Sequence, residues 1–174
     1  RRQRQMCIRD SLISLGRSPY KKFWDFDLNE EDLKIIDEAI QIMDLNELKN
    51  KFISELSGGQ SQRAFLAMSI AQNTNILFLD EPTTFLDVNY QIKFLESLKN
   101  LIKIKKISII TVLHDVNLAA RFCDRIAILK EGKLIDINTP EKVLNQENFK
   151  RGFEIDSHII DTPVGIQIFP VSKT

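Results

Sequence analysis

Apolar positions in the first third of the chain recur with a helical period. Leu33, Ile36, Ile40 and Met43 stand three or four residues apart, which places them on one face of a helix. Asn29 is positioned to cap it, and Glu30, Glu31 and Asp32 fall in the first turn, where negative charge favours the helix dipole. The preceding stretch, 16–24, combines a helix stop with aromatics and cations and reads as a loop able to make contacts. A local aromatic cluster capping the helical layer is the equal alternative. After Ser57-Gly58-Gly59, the run Ala64, Phe65, Leu66, Ala67, Met68, Ile70 and Ala71 is apolar on most sides, which predicts a largely buried helix. Then the period changes. Positions 76–79 and 107–113 are short, near-continuous apolar runs, as expected for strands of a parallel sheet covered on both faces. Between them, 88–104 carries Ile92, Leu95, Leu98, Leu101 and Ile102 as an apolar stripe, the crossover helix of a βαβ unit.

Further along, 116–123 reads as a helix and 125–129 as a strand. Glu131-Gly132 supplies a hairpin turn into 133–137, and Thr139 with Pro140 fits the N-cap and first position of a short helix. Strand-like pieces follow around Ile159 and at 166–169. There is no internal repeat and no low-complexity linker. The pattern predicts an α/β fold.

Composition sharpens this picture at five points. With 43% apolar and 28% charged residues in 174, the chain can bury a real core. Its longest uncharged apolar run, 107–113, falls far short of the roughly 20 residues that span a bilayer, so membrane association is expected through a partner. Balanced charge, 24 basic against 24 acidic residues, argues against coating nucleic acid. Cys7 and Cys123 form neither a CxxC nor a Cys/His pattern, so a reduced compartment and no zinc site are expected. Four of the nine arginines crowd into residues 1–10, whereas the rest of the chain prefers lysine, and this abrupt shift marks 1–10 as a foreign N-terminal extension. A solvated basic arm is the alternative.

Chemistry concentrates in three places. Asp80 and Glu81 follow an apolar strand, at the sheet edge where open α/β folds bind ligands. Phosphoryl transfer to water needs such a pair: one carboxylate for Mg²⁺ and its waters, the next to orient the attacking water. The pair alone could equally begin a turn; Pro82-Thr83-Thr84-Phe85-Leu86-Asp87 behind it strengthens the chemical reading. Ser57-Gly58-Gly59-Gln60 opens a helix with a hydroxyl, free amides and two glycines that let a phosphate approach the main chain. A plain N-cap turn would explain Ser57 and one glycine, but not the set with Gln62 and Arg63 behind it. His114 ends the second apolar run, where a histidine can hydrogen-bond a phosphate or water; by itself such a residue is more often structural.

These residues carry a resemblance. Leu56-Ser57-Gly58-Gly59-Gln60 resembles the signature motif of ABC ATPases, and 76–80 resembles the Walker B strand with Glu81 as its glutamate. Phe85-Leu86-Asp87 resembles the D-loop, and His114 the switch histidine. The words Leu15-Gly16-Arg17-Ser18-Pro19-Tyr20, Arg63-Ala64-Phe65-Leu66-Ala67-Met68, Ala71-Gln72-Asn73-Thr74 and Val112-Leu113-His114-Asp115-Val116-Asn117 are similar to ATPases of ferric-siderophore and ferric-citrate importers. The haem and cobalamin importer ATPases stand close by. Two alternatives remain: a non-transport ABC protein acting on nucleic acid or the ribosome, disfavoured by the lack of a heptad run before Leu56, and a degenerate binding module that has lost catalysis, disfavoured by the intact Asp80, Glu81 and His114.

The resemblance implies the C-terminal part of an ABC cassette: 11–72 a helical subdomain with the signature helix, and 73–174 part of a RecA-like core whose mainly parallel sheet is flanked by helices. It implies ATP and Mg²⁺ as ligands, with Asp80 on the metal, Glu81 and His114 catalytic, and Ser57, Gly58, Gly59, Gln60 and Asp87 on nucleotide. The implied partners are a second ATPase subunit, an integral membrane permease that the 16–24 segment would face, and indirectly a periplasmic or surface substrate-binding protein, with no nucleic acid. The implied location is the cytoplasmic face of the bacterial cell membrane. No G-x-x-x-x-G-K-[ST] segment occurs among these residues, so the 174 residues alone are expected to bind ATP weakly or not at all.

Overall fold

The computed structural model describes residues 7–21, 27–84 and 86–172. Lys22, Phe23 and Trp24 of the expected contact loop, and Phe85, lie outside these. The chain divides into two compact units, Arg1–Val112 and Leu113–Thr174.

The first unit begins with a π-helical turn, Ile8–Leu12, and a 3₁₀ segment, Ile13–Tyr20. Ile8, within the stretch assigned to a foreign extension, is fully buried, and its N–H donates to the Lys51 carbonyl at 2.9 Å. Helix α1 spans Glu30–Ile42. Its cap is reciprocal: Asp32 N–H donates to Asn29 Oδ1 at 2.8 Å, and Asn29 N–H to Asp32 Oδ2 at 3.1 Å. Ile36, Ala39, Ile40 and Met43 turn inward as the periodicity requires. Helix α2, Gly58–Ala71, buries Ala64, Leu66, Ala67, Ile70 and Ala71 against α1 and the 3₁₀ segment, while Phe65 stays exposed. Gly16 makes the close approach possible, because a Cβ there would sit 2.2 Å from the Met68 carbonyl oxygen.

The expectation of an open contact loop at 16–24 is corrected where residues are described. Gly16 and Arg17 are buried, and Arg17 donates to Asp32 Oδ1 at 2.8 Å and to the Ala71 carbonyl at 3.0 Å. Lys21 pairs with the other Asp32 oxygen. The Arg17 guanidinium lies 4.3 Å over the Tyr20 ring, whose hydroxyl donates to the Gln72 carbonyl at 2.7 Å. A charge that must be buried takes partners on every side, so these residues tie α1 to the end of α2. Leu15, Pro19 and Tyr20 remain exposed.

Strand β1, Ile76–Leu79, pairs in parallel with β2, Ser108–Thr111, through the crossover helix α3, Val88–Lys105. The βαβ reading therefore holds. α3 buries Phe94, Leu95, Leu98 and Leu101. The sheet is not covered on both faces: Leu77 is buried, whereas Ile76, Phe78, Ile110 and Val112 are at least half exposed, with Phe78 at 71%. Alternate strand residues point to opposite faces, and among the described residues only one face is packed.

The second unit holds α4 (Val116–Phe122), the hairpin β3 (Ile126–Lys130) and β4 (Lys133–Asn138), α5 (Pro140–Val143), α6 (Gln146–Phe153), and the hairpin β5 (Asp156–Thr162) and β6 (Gly165–Ser172). Both hairpins are antiparallel. Glu131 and Gly132, with φ of 49° and 73°, make the expected turn. Thr139 and Pro140 start α5 as expected. The core is Ala120, Ile128, Val143, Leu144, Phe149, Ile166 and Ile168. Among the described residues no helix is long and apolar enough to cross a membrane.

Candidate functional site

The parallel register sets Leu79 opposite Thr111, so both strands end at one edge, and Val112 N–H donates to the Leu79 carbonyl at 3.0 Å. Asp80 emerges there, exposed. Glu81 follows with φ of 46°, a left-handed backbone that reverses the chain in one step. Non-glycine residues reach that region at a cost. Thr84 folds back on it, its N–H donating to the Glu81 carbonyl and its hydroxyl to Glu81 Oε2, both at 3.3 Å. Thr83 is buried beneath, its carbonyl accepting from Leu86 N–H and Gln91 Nε2 at 3.1 Å each. The two carboxylates thus stand on a stiffened turn.

Asp87 ends this segment as the N-cap of α3, its Oδ1 accepting from Tyr90 N–H at 3.0 Å. Ser57 caps α2: Gln60 N–H donates to its hydroxyl at 3.4 Å, and Ser57 N–H to Gln60 Oε1 at 3.0 Å. Over Gly58 there is open space, with nothing within 4 Å of where a Cβ would sit. At the start of a helix this leaves main-chain amides approachable by an anion. Gly59 instead backs onto Tyr90, whose ring carbons stand from 3.4 Å away from its Cβ position.

The structure therefore brings the α2 start and the first turn of α3 together through Tyr90, a residue that sequence reasoning missed. Nothing in its spacing distinguishes an aromatic after a cap from a surface residue. Arg63, grouped with the phosphate set in sequence, is occupied elsewhere: it donates to the carbonyls of Met43 and Asp44 at 3.1 and 3.2 Å. His114 is exposed and belongs to the second unit. Asp115 beside it caps α4, accepting from Asn117 and Leu118 N–H at 2.8 and 3.0 Å. The Asn117 side chain in turn pairs with β6, donating to the Ile168 carbonyl at 3.2 Å and accepting from its N–H at 2.7 Å.

A Mg-nucleotide suits the chemistry of the first unit. Magnesium takes one or two carboxylates and completes its shell with phosphate and water oxygens, which matches an exposed pair at a strand end. The open backbone at Gly58 accommodates a phosphate approach.

A family model described as ABC transporter matches residues 2–84. The petrobactin import ATP-binding protein FpuC of Bacillus anthracis is 46% identical over 147 residues, covering 83% of this chain and 54% of that protein. The iron(3+)-hydroxamate import ATP-binding protein FhuC of Bacillus subtilis (strain 168) is 40% identical, covering 87% and 56%. The ferric enterobactin transport ATP-binding protein FepC of Escherichia coli (strain K12) is 37% identical, covering 88% and 56%. The chain spans about half the length of the curated relatives it matches. Among solved structures, an inward-facing putative metal-chelate type ABC transporter superposes with a TM-score of 0.84 at 21% identity, over 99% of this chain and 70% of that one. CbiO1 from Clostridium perfringens, part of the ABC transporter complex cbiONQ, gives 0.71 at 28%, over 84% and 56%.

Proposed function

Because this chain belongs to the ABC transporter ATPase family, we propose that it supplies the signature and carboxylate portion of an ATP-hydrolysing subunit that drives a bacterial importer of ferric chelates, siderophore or ferric citrate. The observation that carries this reading is the exposed Asp80-Glu81 pair, held on a hydrogen-bonded turn at the end of a parallel strand, in one unit with a Ser57-capped, glycine-opened helix. The relatives named for import of petrobactin, iron(3+)-hydroxamate and ferric enterobactin support the chelate class.

When bound, ATP supplies the scissile phosphate bond and Mg²⁺ neutralises its developing charge. Asp80 would hold the metal and its waters. Glu81 orients the attacking water and takes its proton. His114 hydrogen-bonds the γ-phosphate or that water and reports hydrolysis. Ser57, Gly58, Gly59, Gln60 and Asp87 serve nucleotide at the interface with a second ATPase subunit. In this reading 11–72 is the helical subdomain, with the exposed Leu15, Pro19 and Tyr20 turned to a permease, and 73–174 is the core portion. The subunit sits peripherally on the cytoplasmic face of the cell membrane, and a substrate-binding protein delivers the chelate to the permease.

Glu81→Gln in the full-length ATPase tests the chemistry. ATP binding should persist while hydrolysis falls by about 10²-fold or more; unchanged hydrolysis removes Glu81 from the base role. Uptake of labelled ferric chelates by cells with this gene disrupted tests the substrate class. A defect confined to haem or cobalamin would overturn it.

A further inference from the structure

One polar contact of the second unit is built like a strand pairing but made by a side chain. The Asn117 amide uses both of its functions on one residue of β6, donating to the Ile168 carbonyl at 3.2 Å and accepting from the Ile168 N–H at 2.7 Å. Ile168 is 3% exposed and sits in the core beside Ala120 of α4, so the anchor point is firm. Helix α4 has only seven residues, too few to hold itself without tertiary support. Its first turn is fixed twice: Asp115 Oδ1 gathers the N–H groups of Asn117 and Leu118, and the Asn117 amide ties that turn to β6.

From this geometry we infer that Asn117 is a positioning residue for His114, which it anchors to the β6 edge through Asp115. The inference rests on the role given to His114 under the proposed function, and it makes the C-terminal hairpin part of what sets the rate. Removing the amide leaves the outward N–H and C=O of Ile168 without their partner and releases the turn that follows His114. A shift of about 1 Å in a reacting group can cost on the order of 10²-fold in rate.

Asn117→Ala in the full-length ATPase should lower kcat about ten- to hundredfold and leave KM for ATP within about twofold, the pattern of a contact felt only in the reaction step. Adding Asn117→Ala to His114→Ala should lower the rate no further, because the tether acts through the histidine. Asn117→Gln keeps both a donor and an acceptor for Ile168 and should recover part of the loss, and it stands in if the alanine variant folds poorly. In the 174-residue chain, Asn117→Ala should speed amide exchange at Ile168 and split or broaden the His114 ring resonance. A raised KM at unchanged kcat, or a double variant that falls by the product of the two single losses, overturns the inference. A slow His114→Ala with a fully active Asn117→Ala refutes this inference alone. A fully active His114→Ala refutes the histidine's role and this inference with it.

Discussion

Replacing Asp32 by Asn removes a charge from the most enclosed ionic cluster of the first unit while keeping the side chain's shape. Asp32 is 3% exposed, and its carboxylate takes Arg17 Nε at 2.8 Å, Lys21, and the Asn29 N–H at 3.1 Å. Burial alone would raise its pKa, but the hydrogen bonds from Lys21, Arg17 and the Asn29 backbone together outweigh it and hold the carboxyl at about 2. At 1.36 kcal/mol per pH unit below the ordinary Asp value, the ionised form contributes about 2 kcal/mol to folding. Because the folded value is depressed, that stability is fully present above the unfolded value near pH 4 and is lost as pH falls through about 2. Asparagine is neutral at every pH and leaves Arg17 and Lys21 without a countercharge. The variant should therefore be less stable at pH 7 by at least this amount, towards the roughly 3–5 kcal/mol typical of a broken buried pair. Urea unfolding of both proteins, followed by helical circular dichroism at pH 7, 4 and 2, measures the gap. It should be constant from pH 7 to near 4 and shrink by about 2 kcal/mol by pH 2. A gap that does not depend on pH, or one below about 1 kcal/mol at pH 7, refutes the account.

Two further stability measurements follow from the packing. Gly16→Ala places a methyl 2.2 Å from the Met68 carbonyl oxygen and 2.9 Å from Ala71 Cβ, so the chemical-denaturation midpoint should fall by the equivalent of about 1–3 kcal/mol; a neutral substitution would show that α2 and the 3₁₀ segment are not in contact. Asp87→Ala should cost about 1 kcal/mol in the same assay, and Ser57→Ala less, because their capping bonds measure 3.0 and 3.4 Å. The reverse order would contradict these geometries.

Local chemistry was readable from the sequence wherever neighbours in the chain decide the outcome. Asn29 with Asp32, the stripe of α3, the Glu131-Gly132 turn and the Thr139-Pro140 start are all settled within a few residues. Helix α6 escaped because Phe149 is its only buried apolar residue, which leaves no periodicity to find. Its start depends on Asn145, which accepts from Asn148 N–H at 2.8 Å. Arg17 reads as an exposed cation until Asp32, fifteen residues on, and the Ala71 carbonyl, fifty-four residues on, come to it. For the candidate site, the carboxylates and the glycine turn were visible as residue types at strand and helix ends. Tyr90 against Gly59, Arg63 on the Met43 and Asp44 carbonyls just past α1, and Asn117 on Ile168 were not, since each joins segments whose proximity only the folded chain creates. The apolar runs 76–79 and 107–113 identified strands correctly but not how many of their faces are packed, because an uninterrupted apolar run looks the same either way.

The left-handed backbone at Glu81 also bears on how this position can drift. Glycine adopts such a conformation without strain, and a single base change separates glutamate codons from glycine codons. Under selection for folding alone, mutation would therefore have an open and even favourable route to a residue with no carboxylate. A lineage that needs only the fold would lose Glu81 readily, whereas one that keeps glutamate on this backbone keeps it against the conformational gradient.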